Sequence, residues 1–265
     1  IKGGLNDVVM NNSPIDIDKL IEGTNEILTA NRNSLQLFDM LHSMRQFDDL
    51  TYVHSVNVAL IASILGQWLK FSEKDIRILT ISGLLHDIGK IMIPNEILTK
   101  PGKLTVAEYN IMKQHVNFGY EKVKNQNIDI RIKEACLLHH EKCDGTGYPF
   151  GLKSDHIPAV AKIIAIADVY DAMTSARVYR GALCPFEVID TMYKDAFTKF
   201  EPEYILPFLK NVASSYINND VRLSDGRIGK VVLINENALS LPIVQCEDEF
   251  IDLSKTRGLT VSAIL

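Results

Sequence analysis

The sequence has few of the features that mark secreted, membrane-spanning or nucleic-acid-binding proteins. Only four of its 265 residues are cysteine and none forms a CxxC pair, so a disulfide framework is not indicated and a reducing, cytoplasmic location is expected. No uninterrupted apolar run is long enough to span a membrane, and no secretory signal begins the chain. The net charge of −5 offers no general positive surface for a nucleic-acid polymer, although an anionic small ligand remains compatible with it.

Helical periodicity dominates from about residue 15 to residue 215, which predicts one large helical core. A capping box at Thr105–Glu108 predicts the start of a helix that carries His115. The other expected helices are Leu50–Leu69, Asp75–Gly89, Ile128–His140, Ile157–Ser175, Pro185–Thr198 and Glu203–Tyr216.

The pattern changes after Asn218. Asp225-Gly226 is typical of a hairpin turn, and the short β-like runs around it are Val221–Leu223, Ile228–Ile234, Leu241–Gln245 and Phe250–Leu253. The expected fold is therefore mainly α, with a small C-terminal antiparallel β appendage docked on a helical bundle. Three units are expected: a helical lead segment over residues 1–47, a helical domain over 48–217 and a β subdomain over 218–265. Since the chain begins with Ile1 rather than Met, we expect it to be part of a longer protein, with any sensor or anchor upstream.

Histidine and aspartate side chains recur within helical segments that are otherwise apolar. Such groups are costly to bury unless something satisfies them, and one metal ion can satisfy several. Mixed nitrogen and oxygen donors suit Fe, Mn, Zn or Ni better than Ca or Mg. The alternative is a set of isolated side chains, for instance histidines that complement a helix C-terminus. That alternative requires a separate structural reason for each ionisable side chain at a core-facing position. The residues concerned are His54, His86, Asp87, His115, His139, His140 and Asp168.

Three motifs, in order, resemble the HD-GYP branch of the HD-domain phosphohydrolases. They are HDIGK at 86–90, HHEKCDGTGYP at 139–149 and IADVYDAMTS at 166–175, and the stretch 93–115 also matches. The resemblance covers about residues 51–200. It implies an HD-domain helical bundle as the catalytic domain, which hydrolyses cyclic di-GMP to linear pGpG, GMP or both.

The resemblance implies two divalent transition metal ions that share Asp87. Fe or Mn is favoured, and Zn or Ni is also compatible with these donors. Relatives with a third ion carry Glu at the position of Leu50, and Asp48 and Asp49 are out of register, so two ions are expected. The first site would use His54, His86, Asp87 and Asp168, and the second Asp87, His115, His139 and His140.

The implied chemistry is the attack of a hydroxide held between two metal ions about 4 Å apart, which lower the pKa of its parent water. Asp87 and Lys90 are the expected catalytic residues. Lys90 would contact the phosphate and stabilise the leaving oxygen, although a lysine there could simply complement a helix end.

The same resemblance implies a set of substrate-binding residues. Besides Lys90 these are Gly145, Gly147, Tyr148, Pro149, Arg177 and Arg180. The glycines permit either close approach to a ligand or tight packing of the loop, and Tyr148 either lines the nucleotide pocket or has a structural role. The two arginines match contacts to the second phosphate, with solvated surface charge as the alternative and Val178 where relatives have Pro. Asp171 is expected to support the site rather than to bind metal.

Two other functions remain open on the sequence. The metal centre could hydrolyse another cyclic dinucleotide, or the domain could be a non-catalytic receptor that only binds cyclic di-GMP. Because all seven matched ligand positions are retained, the catalytic interpretation is favoured. An upstream sensor domain or a homodimer is a further expectation.

Overall fold

The computed structural model describes residues 13–30, 50–175 and 183–265. Its first part is a bundle of helices, and its last part is a five-stranded sheet. The α-helices are α1 (Ile17–Ala30), α2 (Leu50–Trp68), α3 (Glu73–Leu85), α4 (Asn95–Leu98), α5 (Val106–Met112), α6 (His115–Val123), α7 (Ile130–Leu138), α8 (Ala159–Thr174), α9 (Pro185–Asp195) and α10 (Pro202–Ser215). Short 3-10 turns lie at Ile88–Met92 and Ser154–His156.

Helices α2 and α8 form the centre of the bundle because both are apolar around most of their circumference. Residues 55–65 of α2 are all buried, and α8 packs against it. Helix α3 packs against α2 and α8, and its N-cap is Ser72, whose hydroxyl accepts a hydrogen bond from the Asp75 amide. The capping box expected at Thr105–Glu108 is confirmed at the start of α5.

Two expected helices are shorter than the periodicity suggested. The helix expected over Asp75–Gly89 ends at Leu85 and continues as a 3-10 turn, so Gly89 is not its C-terminal signal. A Cβ on Gly89 would overlap the His115 carbonyl oxygen and the Gly119 amide nitrogen. Glycine is therefore required because this turn packs backbone to backbone against α6. The helix expected to run from the capping box through His115 is also broken, and His115 begins α6.

The C-terminal strands form one antiparallel sheet in the order β4-β3-β2-β1-β5. They are β1 (Asp220–Leu223), β2 (Ile228–Leu233), β3 (Ile243–Cys246), β4 (Glu249–Asp252) and β5 (Val261–Ile264). The expected turn at Asp225-Gly226 joins β1 to β2, and Gly226 has a φ of +92°. Strand β5, which pairs with β1, was not expected from the sequence.

Alternation along the strands turns one face of the sheet towards the helices. Val221 and Leu223 of β1, with Val231 of β2 and Val244 of β3, belong to the same apolar core as the bundle. This confirms the mainly α fold with a C-terminal antiparallel sheet. The unit boundaries at residues 47 and 217 remain predictions. All four cysteines are free thiols, and no helix in the described ranges is long and apolar enough to cross a membrane.

Candidate metal centre

The bundle brings together all seven side chains that the sequence singled out as ligands. Within them are two donor groups that could each hold a metal ion, and in each group the ligand atoms lie within 4.8 Å of one another. Both groups contain Asp87. The first consists of His54, His86 and Asp87, and the second of Asp87, His115, His139 and His140.

Asp87 is shared because its two oxygens face different histidines. Its Oδ1 lies 3.3 Å from His115 Nε2 and 3.8 Å from His139 Nε2. Its Oδ2 lies 3.2 Å from His86 Nε2 and 3.6 Å from His54 Nε2. Because α3 ends at Leu85, Asp87 lies in the turn that follows it, and its carboxylate lies between His54 of α2 and His115 of α6. This geometry allows one carboxylate to bridge two cations.

Asp168 lies in α8, beside both donor groups. Its Oδ1 is 3.1 Å from His54 Nε2, and its Oδ2 is 3.8 Å from His140 Nδ1. The sequence placed Asp168 with the first group, and its shorter contact is with a member of that group. Its second oxygen extends the carboxylate towards the other group.

Four of the histidine rings are held in a single orientation by an acceptor at Nδ1. The acceptors are Asp171 Oδ2 for His54 (2.7 Å), Gly83 O for His86 (2.8 Å), Met112 O for His115 (2.8 Å) and Ala135 O for His139 (2.9 Å). In a neutral ring an acceptor at Nδ1 keeps the proton there, so Nε2 presents its lone pair to the centre of the site. This is the tautomer that a metal ligand requires.

Two atoms at the centre are buried without a hydrogen-bond partner among the described residues. They are His86 Nε2 and Asp87 Oδ1, one from each side of the cluster. A buried polar atom left unpaired costs about 1–3 kcal/mol. A cation in each donor group that accepts the lone pair on its side removes that cost, so the donor set fits metal ions.

The electrostatics of the cluster also suit cation binding. Burial lowers the pKa of His139 well below its usual range, and burial lowers the pKa of His140 to about 3, so both rings are neutral. Burial would raise the pKa of Asp87, but His86 and Lys90 outweigh it and hold the pKa well below its usual range. Burial likewise opposes protonation of His54, yet Asp168 and Asp171 raise its pKa to about 10. His139 and His140 thus offer neutral nitrogen donors beside ionised carboxylates, whereas the protonated His54 ring has to release a proton to a divalent ion.

Asp171 and Asn57 support the site without belonging to either donor group. The buried Asp171 carboxylate accepts hydrogen bonds from His54 Nδ1 (2.7 Å), Asn57 Nδ2 (2.9 Å) and Ser175 Oγ (3.3 Å). Asp171 thus contacts a ligand residue and lies outside both donor groups, and its supporting role stays a prediction. Asn57 was missed, although an amide three residues after His54 in an apolar helix was a signal that could have found it.

Lys90 lies at the edge of the cluster in the 3-10 turn. Its Nζ is 2.5 Å from Asp87 Oδ2, and its side chain is 24% exposed. The ammonium group is thus tied to the shared carboxylate rather than to the end of a helix. It remains accessible to a ligand that enters from solvent.

The loop over residues 145–149, which contains the GYP motif, folds back against His140. A Cβ on Gly147 would overlap backbone atoms of His140, Glu141 and Lys142, and Gly145 has a φ of +82°. The two glycines therefore serve tight loop packing. The ring of Tyr148 lies 4.7 Å from that of His140, and the Tyr148–Pro149 peptide bond is cis.

Glu141 holds this loop in place, and its role was missed from the sequence. Its buried carboxylate accepts hydrogen bonds from the amides of Phe150 (2.7 Å), Gly151 (3.2 Å) and Leu152 (2.8 Å). An acid that follows two histidines gives no sign of such distant backbone partners.

Some expectations fall outside the described part of the chain. They concern Arg177, Arg180 and Val178 at the second phosphate, and Asp48 and Asp49 at a third ion. The side chain of Leu50 is likewise not described.

The chain is similar to an established protein family and to several known proteins. The HD domain family model matches residues 21–204. Cyclic di-GMP phosphodiesterase PA4108 of Pseudomonas aeruginosa is 36% identical over 203 residues, which are 76% of this chain and 49% of the relative. The 3'3'-cGAMP-specific phosphodiesterase 1 of Vibrio cholerae is 36% identical over 173 residues, 64% of this chain and 38% of the relative.

Among solved structures, Bd1817, an HDG"Y"P protein from Bdellovibrio bacteriovorus, has a similar fold. The TM-score is 0.53 at 18% identity, and the match covers 78% of this chain and 76% of the other. This chain spans about half the length, or less, of the two curated relatives.

Proposed function

The chain belongs to the HD domain family, and on this basis we propose that it is a metal-dependent phosphodiesterase acting on cyclic di-GMP. The products would be linear pGpG, GMP or both. The observation that carries the proposal is the pair of donor groups that share buried Asp87, with Asp87 Oδ1 and His86 Nε2 left unpaired at their centre. Similarity to a cyclic di-GMP phosphodiesterase over 76% of the chain supports the substrate class.

We propose two divalent transition metal ions, Fe or Mn in preference to Zn or Ni, with Asp87 as the shared ligand. When bound, such ions polarise phosphate oxygens and lower the pKa of a water molecule that attacks phosphorus. His54, His86 and Asp168 would complete the first site. His115, His139 and His140 would complete the second.

The chain's own residues would supply the remaining functions. The partly exposed Lys90 ammonium would donate a hydrogen bond to a phosphate oxygen and counter charge on the leaving oxygen. Because Asp87 contacts Lys90, the same carboxylate would position this ammonium next to the ions. Tyr148, beside His140, would form a wall of the nucleotide pocket, with Gly145, Gly147 and Pro149 shaping its loop. Arg177 and Arg180 would bind the second phosphate.

A second candidate function is hydrolysis of another cyclic dinucleotide. The observation that favours it is the equal 36% identity to a 3'3'-cGAMP-specific phosphodiesterase. The non-catalytic receptor receives no comparable support, because both donor groups are complete. A cytoplasmic location, supported by the four free thiols, and regulation by an upstream sensor or a homodimer are also proposed.

The test combines metal analysis with product chromatography. Protein purified without oxygen is analysed for metal and incubated with cyclic di-GMP or 3'3'-cGAMP, with and without a chelator. We expect two ions per chain and chelator-sensitive hydrolysis of cyclic di-GMP to pGpG or GMP. Faster hydrolysis of 3'3'-cGAMP would favour the second candidate. Tight binding without turnover under Fe²⁺ or Mn²⁺ would overturn both.

A further inference from the structure

An exposed tyrosine beside the metal centre has no evident part in the core or in the ligand set. Tyr109 lies in α5, a helix in which no residue is buried, and 47% of its surface is exposed. The capping box and the ion pair between Lys100 and Glu108 hold this helix rather than apolar packing. A large ring in such a place needs another explanation than core formation.

Tyr109 is the outer member of a row of rings that begins at a ligand of the metal centre. The His140 and Tyr148 rings are 4.7 Å apart and tilted by 31°. The Tyr148 and Tyr109 rings are 6.4 Å apart in an edge-to-face arrangement of 81°. The row therefore leads from a ligand of the metal centre to an exposed ring in two steps.

The position of Tyr109 is also tied to a ligand. Helix α5 ends at Met112, whose carbonyl accepts the hydrogen bond from His115 Nδ1 at 2.8 Å. Since Tyr109 lies one turn before Met112, the ring and the ligand are carried by one short segment.

Tyr148 and Tyr109 differ in how much of the ring surface is exposed to a ligand. The ring of Tyr148 lies beside that of His140, and Tyr148 is half-buried. Tyr109 is more exposed, and its ring is approached by Lys113, whose Nζ is 5.3 Å from the ring centroid. A lysine side chain is flexible, so it can leave the ring to a flat partner while its charge stays nearby.

From these contacts we infer that Tyr109 stacks on a purine base of the cyclic dinucleotide while the phosphate lies at the metal centre. The inference rests on the proposed function and adds a residue that recognises the base rather than the phosphate. Aromatic stacking tolerates any base, so Tyr109 would raise affinity for guanine and adenine alike. Lys113 would move aside when the base binds.

The test separates base recognition from phosphate chemistry by using two substrates. Tyr109→Ala and Tyr109→Phe are compared with wild type on cyclic di-GMP and on methyl 4-nitrophenyl phosphate, a diester without a base. Tyr193→Ala is the matched control, because Tyr193 is similarly exposed but lies in α9, which contributes no ligand. Metal content is measured for every variant.

We expect Tyr109→Ala to raise the KM for cyclic di-GMP about tenfold, while the ring-preserving Phe variant stays close to wild type. Turnover of the base-free diester and metal content should not change. An unchanged KM in Tyr109→Ala, or an equal loss on both substrates, would overturn the stacking inference alone. A wild-type chain that hydrolyses neither cyclic dinucleotide would instead refute the proposed function.

Discussion

Removing the Asp171 carboxylate should weaken metal binding although Asp171 belongs to neither donor group. Its Oδ2 holds the proton on His54 Nδ1 at 2.7 Å, and without it the His54 ring is free to rotate or to carry the proton on Nε2. Loss of such a partner typically costs 10–100-fold in metal affinity, or about 1.4–2.7 kcal/mol. The metal-free Asp171→Ala protein should also lose about 2–5 kcal/mol of unfolding free energy, because His54 and Asn57 both lose an acceptor.

Asp171→Asn is the informative companion variant. Its amide oxygen can still accept from His54, while its NH2 group then faces Asn57. In the native protein Asn57 Oδ1 has no hydrogen-bond partner, so the Asn57 amide can turn round and accept from the new donor. We therefore expect a smaller loss of affinity for Asp171→Asn than for Asp171→Ala.

The assay is titration of Mn²⁺ or Zn²⁺ against a chromophoric chelator, at a temperature where circular dichroism shows every variant folded. Asp195→Ala is the control, since Asp195 contacts Lys199 in the described structure and lies on α9, which carries no ligand. A folded Asp171→Ala protein with wild-type affinity would refute the orienting role. Equal losses in the Ala and Asn variants would refute the tautomer argument.

Other changes to the site and its surroundings have distinct expected outcomes. Asp87→Ala should abolish both metal retention and turnover, and full activity in this variant would rule out Asp87 as the shared ligand. Lys90→Ala should slow turnover about 100-fold with metal content unchanged. Elemental analysis and rate measurements on both variants check these outcomes. Glu141→Ala should lower the free energy of unfolding in urea by about 3 kcal/mol, because three amides lose their acceptor, and Glu141→Gln by less. Hydrogen bonds from Lys100 lower the pKa of Glu108 to about 2 from 4.5. The stability that ionised Glu108 contributes is therefore complete above pH 4.5 and is lost as the pH falls towards 2. In acid titrations wild type and Glu108→Gln should therefore converge at low pH, and a constant difference between them would contradict this linkage.

The sequence predicted the fold well where one local signal was enough. Apolar periodicity located α2 and α8, and the capping box located the start of α5. Prediction from the sequence failed where backbone contacts between distant residues determine the ends of an element. The break after Leu85 depends on the approach of α6 to Gly89, and no local pattern reveals it. Strand β5 is short and acquires its hydrogen bonds only by pairing with β1, whose sequence lies far away.

The candidate site shows the same division. Ligand residues are recognisable because ionisable groups are conspicuous in apolar helices, as Asp168 is in α8. Residues that hold the ligands or the loop are harder to recognise. Glu141 is paired with amides nine to eleven residues further on, and its burial becomes evident only once the loop is folded. Asn57 differs, since a buried amide one turn from His54 carries a local signal.

The backbone contact between Gly89 and helix α6 fixes the distance between two of the candidate ligands, Asp87 and His115. Asp87 stands two residues before that contact, and His115 supplies one of the atoms that touch it. The distance between these two donors is thus fixed by backbone atoms, which a side-chain substitution elsewhere does not change. Repacking the apolar interior should therefore alter the protein's melting temperature long before it alters which size of ion the cluster accepts.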